Sequence, residues 1–420
     1  MRSSRAITRL LRALAAAVLL MLPAIVTTAG ATPAPPGWSA AWTTALYRAD
    51  RFVGPNWAEQ GFTNQTLRQV VRVTQGGAAA RIVLSNRFGT TPLRIGGANV
   101  ARGLTDAGIV PETLRTLTFG NAVATEIPPG AELATDPVLL PLAPFDELSI
   151  TLYLTDATGP VTQHSQAFET AYRADGDQRA DTGGAPFTET TAAWYYLSRV
   201  EVADILPRTA GIVAFGDSIT DGVGSTVDAG NRFPDELAEL LAAQGTPRAV
   251  LNQGIGGNRV TVDSGWMGES ALRRFRHDVL DQPGIATVII LEGINDIGLS
   301  VGAPEIGEPA VPVSAEQLIA GYRELIAQAR ARGLRVIGAT MLPMEGSPYY
   351  SAAAEAERAA VNQWIRASGE YDAVIDFDAA LADPAAPRRL AAPYDSGDHL
   401  HPSDAGYTAM AAAAAAVDLG

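Results

Sequence analysis

The chain of 420 residues contains no cysteine and no lysine, and it has only four histidines. Without cysteine the protein can form no disulfide, no thiolate metal site and no lipid attachment at a cysteine. The histidines show no spacing typical of zinc sites, so we predict no metal site. A chain of this length can bury a core large enough to fold without disulfides.

Positive charge is also scarce, because all basic residues are arginines and the formal net charge is −14. An acidic chain without a basic run is a poor match for nucleic acid, so we predict no nucleic-acid partner. The same sign of charge disfavours anionic membrane surfaces. The chain has no apolar stretch long enough for a clear membrane span, and we predict no stable membrane association.

The N-terminus has the organisation of a signal peptide. Four arginines within the first 12 residues precede the apolar stretch 13–26, and Ala29-Gly30-Ala31 fits the small-x-small cleavage pattern. We therefore predict a signal peptide at 1–31, a Pro-rich linker at 32–37 and a secreted protein. An uncleaved membrane anchor is the alternative.

Residues 38–200 have the pattern of an all-β domain. The apolar runs 66–73 and 80–84 flank the turn residues 75–77, which predicts a β-hairpin. Residues 148–154 alternate with period two, which predicts a strand with one buried face and one face in water. Pro and Gly separate these runs and no long helical pattern intervenes, so we predict a β-sandwich or jelly roll.

Residues 208–420 show alternating strand and helix patterns, which predict a parallel sheet with helices on both faces. One helix is predicted from Ser314, which forms a capping-box pair with Gln317, to Arg332. Two further helices are predicted at 351–368 and 404–417. The predicted strands are 211–215, 249–252, 286–291, 335–340 and 373–376.

The strand at 211–215 runs directly into Gly216-Asp217-Ser218, which presents a serine at its C-terminal end. Ligands bind at this edge of parallel sheets, and a serine there can act as a nucleophile if a base is near. His401 supplies a candidate base, so the pair indicates a serine hydrolase. A serine in this position is also a common helix cap. The segment is not a Gly-x-Ser-x-Gly elbow, because its fifth residue is Thr220.

Three further polar segments carry groups suited to ester hydrolysis. The segments 252–258 and 293–296 each follow a predicted strand, and they offer glycine N–H groups and an asparagine amide for a developing oxyanion. Asp398 lies three residues before His401, so one turn of chain can bring the carboxylate to the imidazole. The alternatives are an Asx turn at Asn295 and a capped helix start at 398–401.

Together, four blocks resemble the SGNH (GDSL-type) hydrolase family: Gly216-Asp217-Ser218, the Gly254–Gly257 turn, Gly293-x-Asn295-Asp296 and Asp398-x-x-His401. The resemblance covers about residues 208–420. It implies a flavodoxin-like three-layer α/β fold and an esterase or acylhydrolase activity without a cofactor. Some members of the family carry a β-sandwich ahead of the catalytic domain, and several of these remove acetyl groups from plant polysaccharides.

The resemblance also implies the role of each site residue. Ser218 is the expected nucleophile, His401 its general base and Asp398 the carboxylate that orients the base. The expected oxyanion donors are the N–H groups of Ser218 and Gly257 and the side-chain amide of Asn295. Gly254 and Gly256 are alternatives to Gly257, and His399 is the alternative base. The other histidines are expected to be structural or exposed: His164 and His277.

We therefore predict a secreted serine esterase that cleaves short acyl esters, such as acetyl esters, of small molecules or carbohydrates. The loops 297–313 and 342–350 are expected to shape the pocket, together with Trp266. The alternatives are a lipid-directed acylhydrolase resembling a lysophospholipase and a non-catalytic carbohydrate-binding protein. Four tryptophans in the β region could stack on sugars, although core packing is the more common role: Trp38, Trp42, Trp57 and Trp194.

Overall fold

The computed structural model describes residues 26–27, 37–50, 56–203, 209–303 and 307–420. The predicted signal peptide and linker lie outside the described residues, apart from residues 26–27 and 37. Within the described ranges, no helix is both long and apolar enough to cross a membrane.

The described part of the N-terminal region consists of strands joined by turns, and all strand pairs within it are antiparallel. One 3-10 helix, Pro111–Thr113, interrupts them. The strands are β1 (Val26–Thr27), β2 (Trp38–Thr43), β3 (Tyr47–Arg48), β4 (Gln65–Arg72), β5 (Gly77–Ser85), β6 (Leu93–Arg102), β7 (Arg115–Leu117), β8 (Thr125–Ile127), β9 (Glu132–Ala134), β10 (Val138–Leu142), β11 (Glu147–Leu154), β12 (Thr162–His164), β13 (Ala171–Asp175), β14 (Glu189–Thr191), β15 (Trp194–Tyr195) and β16 (Leu197–Ala203).

These strands form two large sheets and one small one. The first has the order β1-β9-β5-β16-β2 with β10 beside β5, and the second has the order β14-β13-β4-β11-β6-β7 with β8 beside β6. The small sheet is β15-β12-β3. Ile82 and Val200 of the first sheet share one hydrophobic core with Ile150 and Leu152 of the second. The prediction of an all-β region is confirmed, and the region is rich in antiparallel strands.

The predicted hairpin between β4 and β5 is wrong. β4 pairs with β11 and β13, whereas β5 pairs with β16, β9 and β10, so the two strands lie in different sheets. The turn residues between them carry the chain from one sheet to the other. Thr74 donates its N–H to Ala41 O at 2.9 Å, and a Cβ on Gly76 would lie 2.2 Å from Leu142 O. Turn residues mark a reversal but do not identify the strand that pairs next.

The prediction that one face of β11 lies in water is also wrong, because Ser149 and Thr151 on that face are buried. The segment after β13 is tied to this face at Thr151 through Arg68. Arg68 donates to Thr151 Oγ1 at 3.0 Å and to Asp181 O at 2.7 Å, and its guanidinium lies over the ring of Phe187. The alternating sequence pattern shows that the two faces of the strand differ in polarity, but it does not show which face is exposed. Here the polar face is buried, and a hydrogen-bonded loop is attached to it.

The C-terminal region is built on five parallel strands, all of which lie within two residues of the predicted bounds. They are β17 (Gly211–Gly216), β18 (Val250–Gly254), β19 (Ile285–Leu291), β20 (Arg335–Ala339) and β21 (Ala373–Ile375). Their order is β18-β17-β19-β20-β21, which is the second-first-third-fourth-fifth order of flavodoxin-like folds. The predicted α/β fold is confirmed. In this order the chain reverses direction across the sheet beside β17, where such folds bind ligands.

The helices that cover this sheet include the three predicted from sequence. The predicted capping box is present, since Ser314 N–H donates to Gln317 Oε1 at 2.8 Å and Ser314 Oγ accepts from Gln317 N. The helices are α1 (Ser218–Asp221), α2 (Phe233–Ala243), α3 (Ala271–Phe275), α4 (Ile294–Gly298), α5 (Ala315–Ala331), α6 (Ala352–Ala367), α7 (Phe377–Leu381) and α8 (Asp404–Ala415), with a π-helical turn at Arg276–Leu280, a 3-10 turn at Ala392–Tyr394 and the small hairpin β22 (Ala382–Asp383) and β23 (Ala386–Leu390).

The two regions are in direct contact. Ala40 N–H donates to Pro283 O at 3.0 Å, and Val250 N–H donates to Thr74 Oγ1 at 3.1 Å. Arg72 on β4 forms an ion pair with Glu239 on α2 at 2.6 Å. The sequence-based domain bounds of 38–200 and 208–420 stay a prediction.

Candidate active site

Ser218 is the first residue of α1 and follows β17 after one intervening residue. That residue, Asp217, caps the short helix by accepting the N–H of Ile219 at 2.9 Å. A Cβ on Gly216 would lie 2.4 Å from Leu291 O, so only glycine lets the strand pass this close to β19 before the turn. The serine is thus held at the C-terminal edge of the sheet by local backbone geometry.

The structure brings the three predicted catalytic side chains together. His401 Nε2 lies 2.9 Å from Ser218 Oγ, and His401 Nδ1 lies 2.5 Å from Asp398 Oδ2. The other carboxylate oxygen of Asp398 accepts the N–H groups of His401 at 2.8 Å and Leu400 at 2.9 Å. These contacts form one chain from the carboxylate through the imidazole to the hydroxyl.

The electrostatics of this chain favour proton transfer from the serine. Partial burial opposes ionisation of Asp398, but the hydrogen bonds and charge of His401 hold the pKa of this carboxyl below its ordinary value. The ionised carboxylate keeps a proton on His401 Nδ1, which leaves the Nε2 lone pair facing Ser218 Oγ. The arrangement therefore suits a general base next to a nucleophile.

His399, the alternative base, lies on a separate carboxylate. Its Nδ1 is 2.6 Å from Asp395 Oδ2, its side chain is half-exposed and its backbone has a φ of +64°. The ring lies against Gly346, where an added Cβ would be 3.1 Å from His399 Cγ. The structure therefore places His399 at the rim of the site and His401 on the serine.

We call the turn after β18 the oxyanion turn (Gly254–Gly257). Its glycines differ in whether their N–H groups already have an acceptor. The N–H of Gly254 donates to Asn252 Oδ1 at 2.9 Å, and the N–H of Gly256 donates to Asp221 Oδ2 at 3.1 Å. Among the residues described, no acceptor faces the N–H of Gly257, whose φ is +76°. Of the three glycines considered from the sequence, Gly257 is the one whose donor is left for a substrate.

Asn295 lies in the first turn of α4, after β19. Its Oδ1 accepts the hydroxyl of Tyr349 at 2.9 Å, and its Nδ2 donates to Asn258 O at 3.0 Å. The side-chain oxygen of Asn295 is thus bonded to Tyr349 and does not form an Asx turn. The NH₂ group points toward the segment that carries the oxyanion turn. One N–H of the amide remains for a further acceptor.

Residues 214–409 match the model of the GDSL-like lipase/acylhydrolase family. The C-terminal region is a GDSL-like lipase/acylhydrolase domain. The match includes every block from which the resemblance was drawn, from the strand before Ser218 to the segment with Asp398 and His401. The family assignment made from the sequence is therefore confirmed for this region.

Solved structures also resemble the GDSL domain. A lipase/acylhydrolase from Enterococcus faecalis is 24% identical over 49% of this chain and 94% of its own, with a TM-score of 0.38. A variant of an acetyl xylan esterase from Geobacillus stearothermophilus is 24% identical over 50% and 94%, with a TM-score of 0.37. A GDSL-like lipase from Bacteroides thetaiotaomicron VPI-5482 is 20% identical over 49% and 86%, with a TM-score of 0.36. No curated protein matches the chain.

A buried arginine beneath the site of the GDSL domain was not identified from the sequence. Arg274 on α3 donates to Gly216 O at 2.7 Å and to Asn258 Oδ1 at 2.8 Å. It also pairs with Glu292 and Asp278, both at 3.0 Å. Arg274 thereby joins the end of β17 to the residue that follows the oxyanion turn.

Buried carboxyls of the GDSL domain near the site have raised pKa values. Burial raises the pKa of Asp217 to about 7, and it raises the pKa of Asp296 to about 6. Asp296 accepts the N–H of Val260 at 2.8 Å, so it ties α4 to the segment after the oxyanion turn. Both carboxyls act on the backbone around the site, and neither contacts Ser218 Oγ.

An apolar cluster lies beside the oxyanion turn. Met267 packs there so closely that a Cβ on Gly257 would be 2.4 Å from its sulfur. The half-buried Trp266 and Tyr349 pack against the same cluster, which also contains Leu299 and Ala303. Apolar and aromatic side chains thus occupy the space next to the candidate oxyanion donors.

The first predicted pocket loop, 297–313, is anchored by Glu308. This buried carboxylate accepts the hydroxyl of Ser264 at 2.5 Å and pairs with the buried Arg259 at 2.5 Å. Beyond α4, no helix forms in the described part of this loop. The loop is therefore fixed against the segment that carries Trp266.

Two other features lie apart from the site. The four tryptophans of the β region are buried, and Trp42 and Trp194 pack edge to face at 4.8 Å, so these side chains belong to the core. A cleft of about 920 Å³, bordered by Gln75, Pro144 and Arg248, lies where the parallel strands begin. Ser218 lies where they end, and none of the predicted site residues borders the cleft.

Proposed function

We propose that the protein is a secreted serine esterase that removes short acyl groups through an acyl-enzyme intermediate. The observation that carries the proposal is the continuous chain of contacts at Ser218. His401 Nε2 is 2.9 Å from Ser218 Oγ, and His401 Nδ1 is 2.5 Å from Asp398. A serine, an imidazole and a carboxylate in this geometry perform acyl transfer on several unrelated folds.

In the first half of the proposed reaction, Ser218 Oγ attacks the ester carbonyl while its proton passes to His401 Nε2. The negative charge that forms on the carbonyl oxygen is bound by the N–H groups of Ser218 and Gly257 and by the amide of Asn295. The imidazolium is stabilised by Asp398. It then gives its proton to the leaving alcohol as the ester C–O bond breaks, which leaves an acyl group on Ser218.

In the second half, a water molecule attacks the acyl group on Ser218. His401 takes the proton of the water, and the same three donors hold the second oxyanion. Collapse of this intermediate returns the proton to Ser218 Oγ and releases the carboxylic acid. The proposal needs no cofactor.

Replacement of Asn295 with Ala is expected to lower kcat by about 10²–10³-fold with little change in KM. The reason is that its amide binds a charge that exists mainly in the transition state. Initial rates with p-nitrophenyl acetate over a range of concentrations separate the two constants. A change in KM alone would instead make Asn295 a substrate-binding residue.

Tyr349→Phe provides the matched control for Asn295. It removes only the hydroxyl that holds Asn295 Oδ1, so the amide donor stays in place but loses its fixed orientation. The expected loss in kcat is smaller than that of Asn295→Ala. An equal loss in both variants would show that the orientation of the amide, and not its presence, limits the rate.

The acyl group is proposed to be short. The wall beside Gly257 is filled by Met267 and Trp266, and the loop 297–313 is tied down by Glu308. The described part of this loop has no amphipathic helix of the kind that lies on lipid. These features favour a short acyl group over a long alkyl chain next to the oxyanion turn.

We expect p-nitrophenyl acetate or butyrate to be cleaved at least about tenfold more efficiently than the palmitate ester, a difference of about 1.4 kcal/mol in transition-state binding. The measurement is kcat/KM across a series of acyl lengths, with detergent held constant. Preference for palmitate, or sharp activation at a lipid interface, would favour the lipid-directed acylhydrolase instead.

The alcohol part of the substrate is proposed to be water-soluble, either a small molecule or an acetylated carbohydrate. The acidic chain and the polar rim around His399 and Asp395 support a soluble substrate more than an anionic lipid surface. Acetate release from acetylated glycans tests the carbohydrate class. A protein that binds such glycans but hydrolyses no short-chain ester would be a non-catalytic carbohydrate-binding protein.

A further inference from the structure

A buried histidine of the N-terminal region reaches the helix that carries Ser218. His164 ends β12, and its side chain is almost fully buried between the rings of Tyr47 and Trp194. Its Nε2 lies 3.0 Å from Oδ1 of Asp221, the last residue of α1. The sequence-based expectation of a structural or exposed histidine did not include this contact.

The surroundings of His164 require a proton on both ring nitrogens. Nδ1 lies 2.8 Å from Ala45 O, while Nε2 faces Asp221 Oδ1 and also lies 3.2 Å from Gln166 O. All three neighbours are acceptors, and a neutral imidazole would direct its lone pair at one of them. His164 is therefore an imidazolium that forms a buried ion pair with Asp221 across the two regions.

The second oxygen of Asp221 holds the oxyanion turn. Oδ2 accepts the N–H of Gly256 at 3.1 Å, one residue before the candidate donor Gly257. The backbone of Asp221 also packs against the turn, since a Cβ on Gly254 would lie 2.2 Å from Asp221 N. The position of the Asp221 carboxylate therefore sets the direction of the Ile255–Gly256 peptide, which is next to the peptide that carries the Gly257 N–H.

The N-terminal region touches the oxyanion turn at two further points. Ile255 packs against Ala45 and Tyr47 in a small buried cluster. Gln166 Oε1 approaches Gly256 so closely that an added Cβ would lie 1.8 Å from it. The N-terminal region thus packs directly against two residues of the turn.

We propose that His164 is a positioning residue for the oxyanion turn, so that the N-terminal region completes the active site of the GDSL domain. The ion pair holds the Asp221 carboxylate in place, and this carboxylate holds the Gly256 N–H by a hydrogen bond. The N–H of the next residue, Gly257, is thereby directed at the oxyanion. This inference rests on the proposed esterase function. It assigns the N-terminal region a supporting role in catalysis, independent of any binding of substrate by that region.

His164→Ala is expected to lower kcat by about 10–100-fold with KM little changed, because a small misplacement of an oxyanion donor is costly in the transition state. His164→Gln keeps a side-chain N–H near Asp221 and is expected to recover part of the loss. The control is Arg72→Ala, which removes the N-terminal partner of another ion pair between the regions, with Glu239. Its kcat should stay within about twofold of the wild type.

A second measurement does not depend on esterase activity. Hydrogen exchange of the Gly256 amide, followed by NMR or mass spectrometry, should accelerate at least about tenfold in His164→Ala and stay unchanged in Arg72→Ala. If the wild type hydrolyses no ester, the proposed function fails, and the exchange result still decides whether His164 positions the turn.

Three results would overturn the inference: unchanged kcat and unchanged exchange in His164→Ala, an effect confined to KM, or equal losses in Arg72→Ala. If His164→Ala does not fold, Asp221→Ala makes the same test, because it removes the oxygen that accepts the Gly256 N–H, and His164 can then be neutral. Unchanged exchange and kcat in Asp221→Ala would then overturn it.

Discussion

Replacement of Ser218 with Ala is expected to lower kcat by at least about 10³-fold, because no other group can form the acyl intermediate. The change removes one oxygen, which forms a hydrogen bond with His401, and alanine is well tolerated in the first turn of a helix. The fold should therefore be intact. Rates with p-nitrophenyl acetate measure the loss, and thermal unfolding of both proteins confirms that the variant is folded.

Covalent labelling provides an independent check of the same residue. The wild type should react with a fluorophosphonate probe at Ser218, and the Ala variant should not react. The label is located by mass spectrometry of the digested protein. Labelling of the variant at another serine would show that the nucleophile has been misassigned.

His401→Ala is expected to reduce kcat nearly as much as the loss of Ser218, because the residues of a catalytic triad act as a unit. The imidazole is the group within hydrogen-bond distance of the serine hydroxyl, at 2.9 Å. Asp398→Ala should have an intermediate effect, since the orienting carboxylate is often the least costly member to lose. All variants are assayed with the same short-chain ester.

His399→Ala is the matched control, because it removes a neighbouring imidazole that also rests on a carboxylate, Asp395, at 2.6 Å. Its expected loss in kcat is less than about tenfold. If the His399 variant were inactive and the His401 variant active, the base would be His399, and the contact seen between His401 and Ser218 would have another role.

The parallel sheet was predictable because its signals are local. Each strand from β17 to β21 is a short apolar run followed by turn residues, as expected for strands buried on both faces. The N-terminal strands were recognised as strands, but the partner of β4 could not be predicted. β4 pairs with β11 and β13, which lie far along the chain, and no turn residue encodes such a choice.

The candidate site was predictable to the same extent. Ser218, Asn295 and the Asp398-x-x-His401 block stand at strand ends or within one turn of chain, so their spacing is visible in the sequence. The choice of Gly257 depends on which N–H groups already have acceptors, and this required the structure. Other supporting residues act only through contacts between distant segments and were missed: Tyr349, Arg274 and His164.

The pairing of β2 with β16 has a consequence for how the protein is made. β2 ends at residue 43 and β16 begins at residue 197, yet the two strands are neighbours in one sheet. Closing so long a loop is slow, and the sheet cannot be completed until the ribosome has synthesised β16. The contacts of Thr74 and Ala40 with Val250 and Pro283 form later still. The nascent N-terminal region therefore exposes unpaired strands until about half of the chain has been synthesised, and it gains these contacts with the C-terminal region only after β18 has emerged.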